Sequence, residues 1–233
     1  MNRFTTLTLA LLFLSFSAIS QKYVELGGFM GIANYQGDLN NRPIEFRESK
    51  YSFGGFIKYH YGNKLHFRGQ VYYARISGDD VHSEGKKKER GWSFATDMAE
   101  ASIQLEWLPF AKYRFNRVGL FRPQINPFVS IGIGSSFTIN KDVAFNINTS
   151  TKPEISFPEP EDKNNFLIVP VGGGIRFDFT QWTTIAGEVG WRYTRSDYLD
   201  GISRHANPDK PDWYFFFGAT LSTYFGQQED YGF

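Results

Sequence analysis

Leu65-His66-Phe67-Arg68-Gly69-Gln70-Val71-Tyr72-Tyr73 is the stretch on which the fold turns. Side chains of a strand alternate between its two faces. Leu65, Phe67, Val71 and Tyr73 therefore share one face, and His66, Arg68, Gln70 and Tyr72 the other. The same code recurs downstream. Ala101, Ile103, Leu105 and Trp107 alternate with Glu100, Ser102, Gln104 and Glu106; Ile185, Val189 and Trp191 alternate with Thr184, Glu188 and Arg192; Val169, Val171, Ile175 and Phe177 stand against Arg176 and Asp178. A slip of one residue would exchange the faces and put charge into lipid, at a cost of ~2–4 kcal/mol for a basic residue near the bilayer midplane. The pattern predicts an apolar face toward lipid and a charged face toward the inside of a closed barrel.

Strands are expected near Lys22 to Ala33, Tyr51 to Tyr61, Lys64 to Ile76, Ser93 to Pro109, Asn126 to Ile139, Phe166 to Thr180, Trp182 to Thr194 and Trp213 to Phe225. Their lengths suit the ~9–11 residues that a tilted membrane strand needs, and eight is an even number, as bacterial barrels prefer. The fold class expected is all-β, an antiparallel transmembrane β-barrel of eight strands with a polar, ion-paired interior. Connections alternate in length. Gly62-Asn63 and the neighbourhood of Gln181 are tight turns, whereas Asn34 to Lys50, Ser77 to Gly91, Asn140 to Asn165 and Arg195 to Asp212 are long and polar. Outer-membrane barrels keep short turns in the periplasm and long loops outside, so both termini are expected in the periplasm. Phe110 to Ile125 breaks the rule, a long link on the short-turn side.

Residues 1–20 read as a cleaved signal peptide, with Arg3, an apolar run from Leu7 to Ile19 and a small-x-small end at Ala18-Ile19-Ser20. Residues 21–233 would form the barrel. The chain has no cysteine, which excludes a disulfide framework and a lipidated mature N-terminus. Without Arg3, the 25 basic residues fall to parity with the 24 acidic ones, a balance that gives nucleic acid no foothold. Aromatics make up 18% of the chain, more than a soluble core usually needs and in keeping with aromatic girdles.

Facing inward, Lys58, Arg68, Arg176 and Arg192 meet Glu100, Glu106, Asp178 and Glu188. Inside so narrow a cylinder these charges are expected to pair and fill the lumen rather than line a pore. No catalytic set assembles. His60 and His66 sit near a short turn, His82 and His205 lie in loops, and no nucleophile is held against a base. The loop carboxylates Asp38, Asp79, Asp80, Asp197 and Asp200 lack calcium-loop spacing, and Gly172-Gly173-Gly174 lies within a strand with no phosphate-loop lysine after it. Neither a cofactor nor a metal is expected.

Two stretches carry a family resemblance: Asn34-Tyr35-Gln36-Gly37-Asp38-Leu39-Asn40, and Arg192-Tyr193-Thr194-Arg195-Ser196-Asp197-Tyr198-Leu199-Asp200-Gly201-Ile202-Ser203. Asn34, Tyr35, Gly37, Asp38, Arg192, Asp197, Tyr198, Leu199, Asp200 and Ser203 form the signature. With it the chain resembles the PorG-like outer-membrane barrels of the Bacteroidota, which are associated with the type IX secretion system. It departs from that family at Ser196, where a Thr is usual, and at Gly201, where a second acid is usual. The resemblance implies a non-enzymatic component that links a periplasmic ring, built by a lipoprotein and its partner subunit, to the outer membrane during protein transport and, in gliding species, adhesin export. A structural or surface-binding barrel unrelated to secretion is the alternative.

The long turn interleaves Lys112, Arg114, Arg117 and Arg122 with rings at Phe110, Tyr113, Phe115 and Phe121 and contains no acid. Two readings stand: the rings dock on the rim while the arginines meet lipopolysaccharide or phospholipid headgroups, or Lys112, Tyr113, Arg114, Phe115, Arg117 and Arg122 contact the ring.

Overall fold

The computed structural model describes residues 24–36, 49–79, 92–145, 165–194 and 213–225. The expected signal peptide, most of each long loop, His82, His205, Asp80 and the signature residues Gly37, Asp38, Asp197, Tyr198, Leu199, Asp200 and Ser203 lie outside them.

Eight strands follow one another: β1 Val24–Gln36, β2 Lys50–Tyr61, β3 Leu65–Asp79, β4 Trp92–Trp107, β5 Gln124–Phe145, β6 Asn165–Asp178, β7 Thr183–Thr194 and β8 Trp213–Phe225. Each pairs antiparallel with its sequence neighbour, and β1 closes on β8 from Val24↔Phe225 to Gln36↔Trp213. Closure leaves no sheet edge across the band where all eight strands overlap, as a wall that meets lipid requires. The chain-end side of the barrel is the terminal rim, and the opposite side the loop rim.

The alternation read from sequence sets the two faces. Ile57, Phe67, Val71, Ile103, Ile131, Ile133, Val171, Ile175, Ile185 and Leu221 are exposed on the outside, while Arg68, Glu100, Glu106, Arg176 and Arg192 are buried inside. Rings gather at both ends of the apolar band: Tyr51, Phe53, Phe137 and Trp213 toward the loop rim, Tyr61, Trp107, Phe179, Trp182 and Phe225 toward the terminal rim. On β2, Tyr51 and Tyr61 lie about ten residues apart; at ~3.4 Å per residue and a ~40° tilt they stand about 26 Å apart along the axis, close to the ~25 Å apolar band of outer-membrane barrels.

Strand ends differ from the sequence expectation where polarity masks the pattern. β5 continues past Ile139 to Phe145, pairing Lys141 with Thr96 and Asp142 with Ala95 beyond a bulge at Asp97/Met98. Residues past the lipid band need not alternate, so Asn140-Lys141-Asp142 read as loop. For the same reason β1 reaches Gln36 and β3 reaches Asp79, which places Asp79 in the ladder rather than in a loop.

Small inward residues admit large neighbours. The Phe29 ring fills the space over the paired Gly31 and Gly218, where an added Cβ would lie 2.8 and 2.7 Å from it. At Gly174 a Cβ would lie 2.1 Å from the Gly187 carbonyl oxygen, so the triple glycine lets β6 and β7 coil closely. Gly62, at φ 77°, supplies the left-handed residue of the β2–β3 turn.

Candidate functional site

Three tiers of polar side chains occupy the lumen. Nearest the terminal rim, Arg176 places Nη2 2.9 Å from Glu25 Oε2 and Nε 2.9 Å from Asp178 Oδ1, and it also donates to the Tyr224 hydroxyl. Thr184 donates to Asp178 at 2.8 Å, and His60 Nε2 lies 2.8 Å from Glu25. Ser222 also donates to Glu25, so this carboxylate stands between serine and histidine. That order is not the nucleophile–base–acid relay of a hydrolase, in which histidine must touch the serine.

In the middle tier Glu106 meets Lys58 at 2.9 Å and Arg68 at 3.0 Å, while Arg68 reaches Glu188 at 2.7 and 3.1 Å. Tyr72 donates to Glu188 at 3.0 Å, and the Arg68 guanidinium lies over the Phe56 ring at 4.3 Å. The third tier is centred on Glu100, which accepts from Arg192 at 2.9 and 3.1 Å, Tyr214 at 3.0 Å, Gln70 at 3.1 Å and Ser102 at 3.2 Å. Above it an apolar cluster of Phe29, Ala33, Tyr72, Ala74, Ile76, Met98, Phe166, Ile168, Tyr214 and Phe216 closes the lumen toward the loop rim.

All the lumen residues expected from sequence thus face inward and are paired with one another. Sequence reasoning missed Glu25 and the apolar cluster. Glu25 carried a usable signal, because an acid on a membrane strand is costly anywhere but inside. Two cavities, of 20 and 10 Å³, lie among these groups; about one water each is their capacity.

The turn after β4 is where sequence and structure diverge most. Residues 114–122 fold into a small hairpin: Arg122 N–H donates to the Arg114 carbonyl at 2.8 Å, Phe115 and Phe121 form a bridge, and Asn116 Oδ1 accepts from Val118 N at 3.0 Å and Leu120 N at 2.8 Å. Gly119, at φ 78°, turns its tip. Arg114 points back into the barrel mouth and is only 8% exposed. Its Nη2 donates to the Thr180 and Gln181 carbonyls at 3.2 and 3.3 Å, its Nε lies 3.4 Å from Asp178 Oδ2, and its guanidinium stacks 3.7 Å from the Tyr224 ring. Arg114 is therefore a stopper in the rim and not a contact residue. Phe115 is likewise engaged, edge to face with Phe121 at 5.9 Å. Lys112, Tyr113, Arg117 and Arg122 are exposed, and Val118 (80%) and Leu120 (65%) project from the tip.

Of the signature residues described, Asn34 is buried and donates to Ser49 at 3.0 Å, Tyr35 pairs with Tyr214 in the ladder, and Arg192 is the lumen partner of Glu100. Signature positions here serve the wall and its filling.

A closed, lipid-facing barrel around a paired polar core defines a transmembrane β-barrel of the outer-membrane type. Residues 4–232 match the family described as Domain of unknown function (DUF6089). The chain belongs to the DUF6089 family. No curated protein matches it. Among solved structures it is similar to the outer membrane protein OprG from Pseudomonas aeruginosa, at 10% identity and a TM-score of 0.48 over 89% of this chain and 98% of that one. It is also similar to the N-terminal β-barrel domain of Pseudomonas aeruginosa OprF (11% identity, TM-score 0.41, 88% and 98% covered) and to Ail, the attachment invasion locus protein of Yersinia pestis (8%, 0.42, 88% and 98%).

Proposed function

We propose that this protein is a non-enzymatic outer-membrane component of the type IX secretion system, with both termini in the periplasm, that ties the periplasmic ring lipoprotein and its partner subunit to the membrane. The observation that carries the reading is the hairpin on the terminal rim. It exposes Arg117 and Arg122 together with the apolar Val118 and Leu120, Lys112 is exposed just before it, and no acid occurs from Phe110 to Arg122. Exposed apolar residues beside arginines are the composition of an interface hot spot, and they suit an acidic partner surface. A braced hairpin also loses less entropy on binding than a free loop. The family resemblance of the two signature stretches supplies the identity of the ring, and the packed lumen supports anchoring over conduction.

The test leaves Arg114 seated. Arg117→Glu and Arg122→Glu, combined with Val118→Asp and Leu120→Asp, should leave the heat-modifiable barrel intact while ring subunits no longer co-purify from gently solubilised membranes. Undiminished co-purification would refute the contact. Ring-component genes beside this one would favour the secretion role over a free-standing barrel.

A further inference from the structure

The cavity of 20 Å³ under the hairpin is lined by His60, His66, Arg114, Gln124, Arg176 and Asp178, among others. Three of these side chains each bring a buried nitrogen with no hydrogen-bond partner among the described residues: Arg114 Nη1, Arg176 Nη1 and His66 Nδ1. All three residues are more than nine-tenths buried. A buried polar atom without a partner costs roughly 1–3 kcal/mol and calls for an occupant.

The chemistry of that occupant follows from the donors. A guanidinium can only donate, so two of the three nitrogens demand an acceptor. Water would satisfy them only by turning its own two hydrogens toward acceptors. Asp178, the carboxylate in the lining, already receives Arg176, Thr184 and Gln124 and pairs with Arg114. An acceptor-only species meets the demand without that requirement. Charge points the same way by a margin of one: Arg114, Arg176 and the nearby Lys112 face Asp178 in the lining, with Glu25 2.9 Å from Arg176 as the second carboxylate. Size restricts the choice further. The space is just above the ~10–15 Å³ that one water-sized occupant needs, which suits a monatomic ion better than sulfate, phosphate or a carboxylate.

We infer that this cavity binds one halide ion, chloride in the cell, held between Arg114, Arg176 and His66. The ion latches the hairpin to the barrel by joining its stopper residue to the terminal tier of the lumen. The inference rests on the barrel mouth alone and stands whether or not the hairpin meets a ring.

The experiment uses the full mature chain in detergent. Crystals grown in sodium bromide should show an anomalous peak between the Arg114 and Arg176 guanidinium groups. In solution, the temperature at which the fast-migrating folded band is lost should rise saturably with sodium chloride and not with sodium gluconate at equal ionic strength, gluconate being too large to enter. Arg114→Gln should abolish that chloride-dependent shift while the barrel still folds. An ordered water or a protein carboxylate in the cavity without anomalous signal would overturn the proposal, as would equal shifts in chloride and gluconate.

Discussion

Removing Glu100 should unbalance an ion pair that is enclosed within the barrel. Glu100 and Arg192 are both almost wholly buried, and the guanidinium lies 4.7 Å from the centre of the Phe216 ring beneath the apolar cluster. In Glu100→Ala the guanidinium loses its only ion-pair partner among the described residues, and the Tyr214 hydroxyl and Gln70 amide lose an acceptor. An uncompensated buried charge costs ~3–5 kcal/mol. The double variant Glu100→Leu with Arg192→Met removes both charges and keeps most of the volume. It takes the same acceptor from Tyr214, Gln70 and Ser102 as the single variant does, at ~1–3 kcal/mol for each donor left unsatisfied, but strands no charge, and so should be more stable than the single variant although it carries more changes. Urea titration of the barrel folded in phospholipid vesicles, followed by tryptophan fluorescence and by gel mobility before and after boiling, measures both. A single-variant loss below about 1 kcal/mol would mean that water reaches the pair. A double variant as unstable as the single would mean that hydrogen bonds, not charge, dominate this tier.

Gly174→Val should fail to give a heat-modifiable band, because its Cβ would meet the Gly187 carbonyl and the backbone of Glu188, which cannot swing aside. On the outer face the cost of an arginine should depend on depth: Ile103→Arg, midway along β4, should destabilise by ~2–4 kcal/mol and Trp107→Arg, at the rim, by ~0–1 kcal/mol, measured by the same titration. Equal costs would show that the membrane band is misplaced. Planar bilayers containing the protein should show no discrete conductance steps, since among the described residues the ion-paired tiers and the apolar cluster fill the lumen around cavities of 20 and 10 Å³; regular openings in potassium chloride would contradict that packing.

The wall was legible in the sequence wherever a strand crosses lipid, because there the bilayer enforces period two on every residue. His66, Arg68, Gln70 and Tyr72 announce one face and Phe67 and Val71 the other. Past the band that enforcement stops, which is why Asn34–Gln36, Ser77–Asp79 and Asn140–Phe145 read as loop although they are paired. Arg114 was illegible for a different reason. Its destination, Asp178 and the carbonyls of Thr180 and Gln181, lies more than sixty residues away, and an arginine in a basic turn gives no local sign of pointing inward. The apolar closure toward the loop rim was hidden because Phe29, Ile76, Met98, Phe166 and Phe216 come from separate strands and converge only when the barrel shuts.

The two ends of the lumen divide the work of filling it. Toward the loop rim dispersion and ring packing close the barrel, and an apolar filling costs nothing in desolvation. Toward the terminal rim the filling is ionic. Buried pairs of this kind add little net stability over apolar residues of equal volume, since desolvation offsets their attraction. They do, however, make the wrong arrangement expensive: with Arg176 shared between Glu25 of β1 and Asp178 of β6, and Asp178 shared with Arg114 of the hairpin, a shifted register strands a charge. The network that fixes strand alignment therefore also fixes where the hairpin sits. Arg117, Val118, Leu120 and Arg122 are held in one position relative to the barrel through Arg114, as the proposed contact with a periplasmic ring would require.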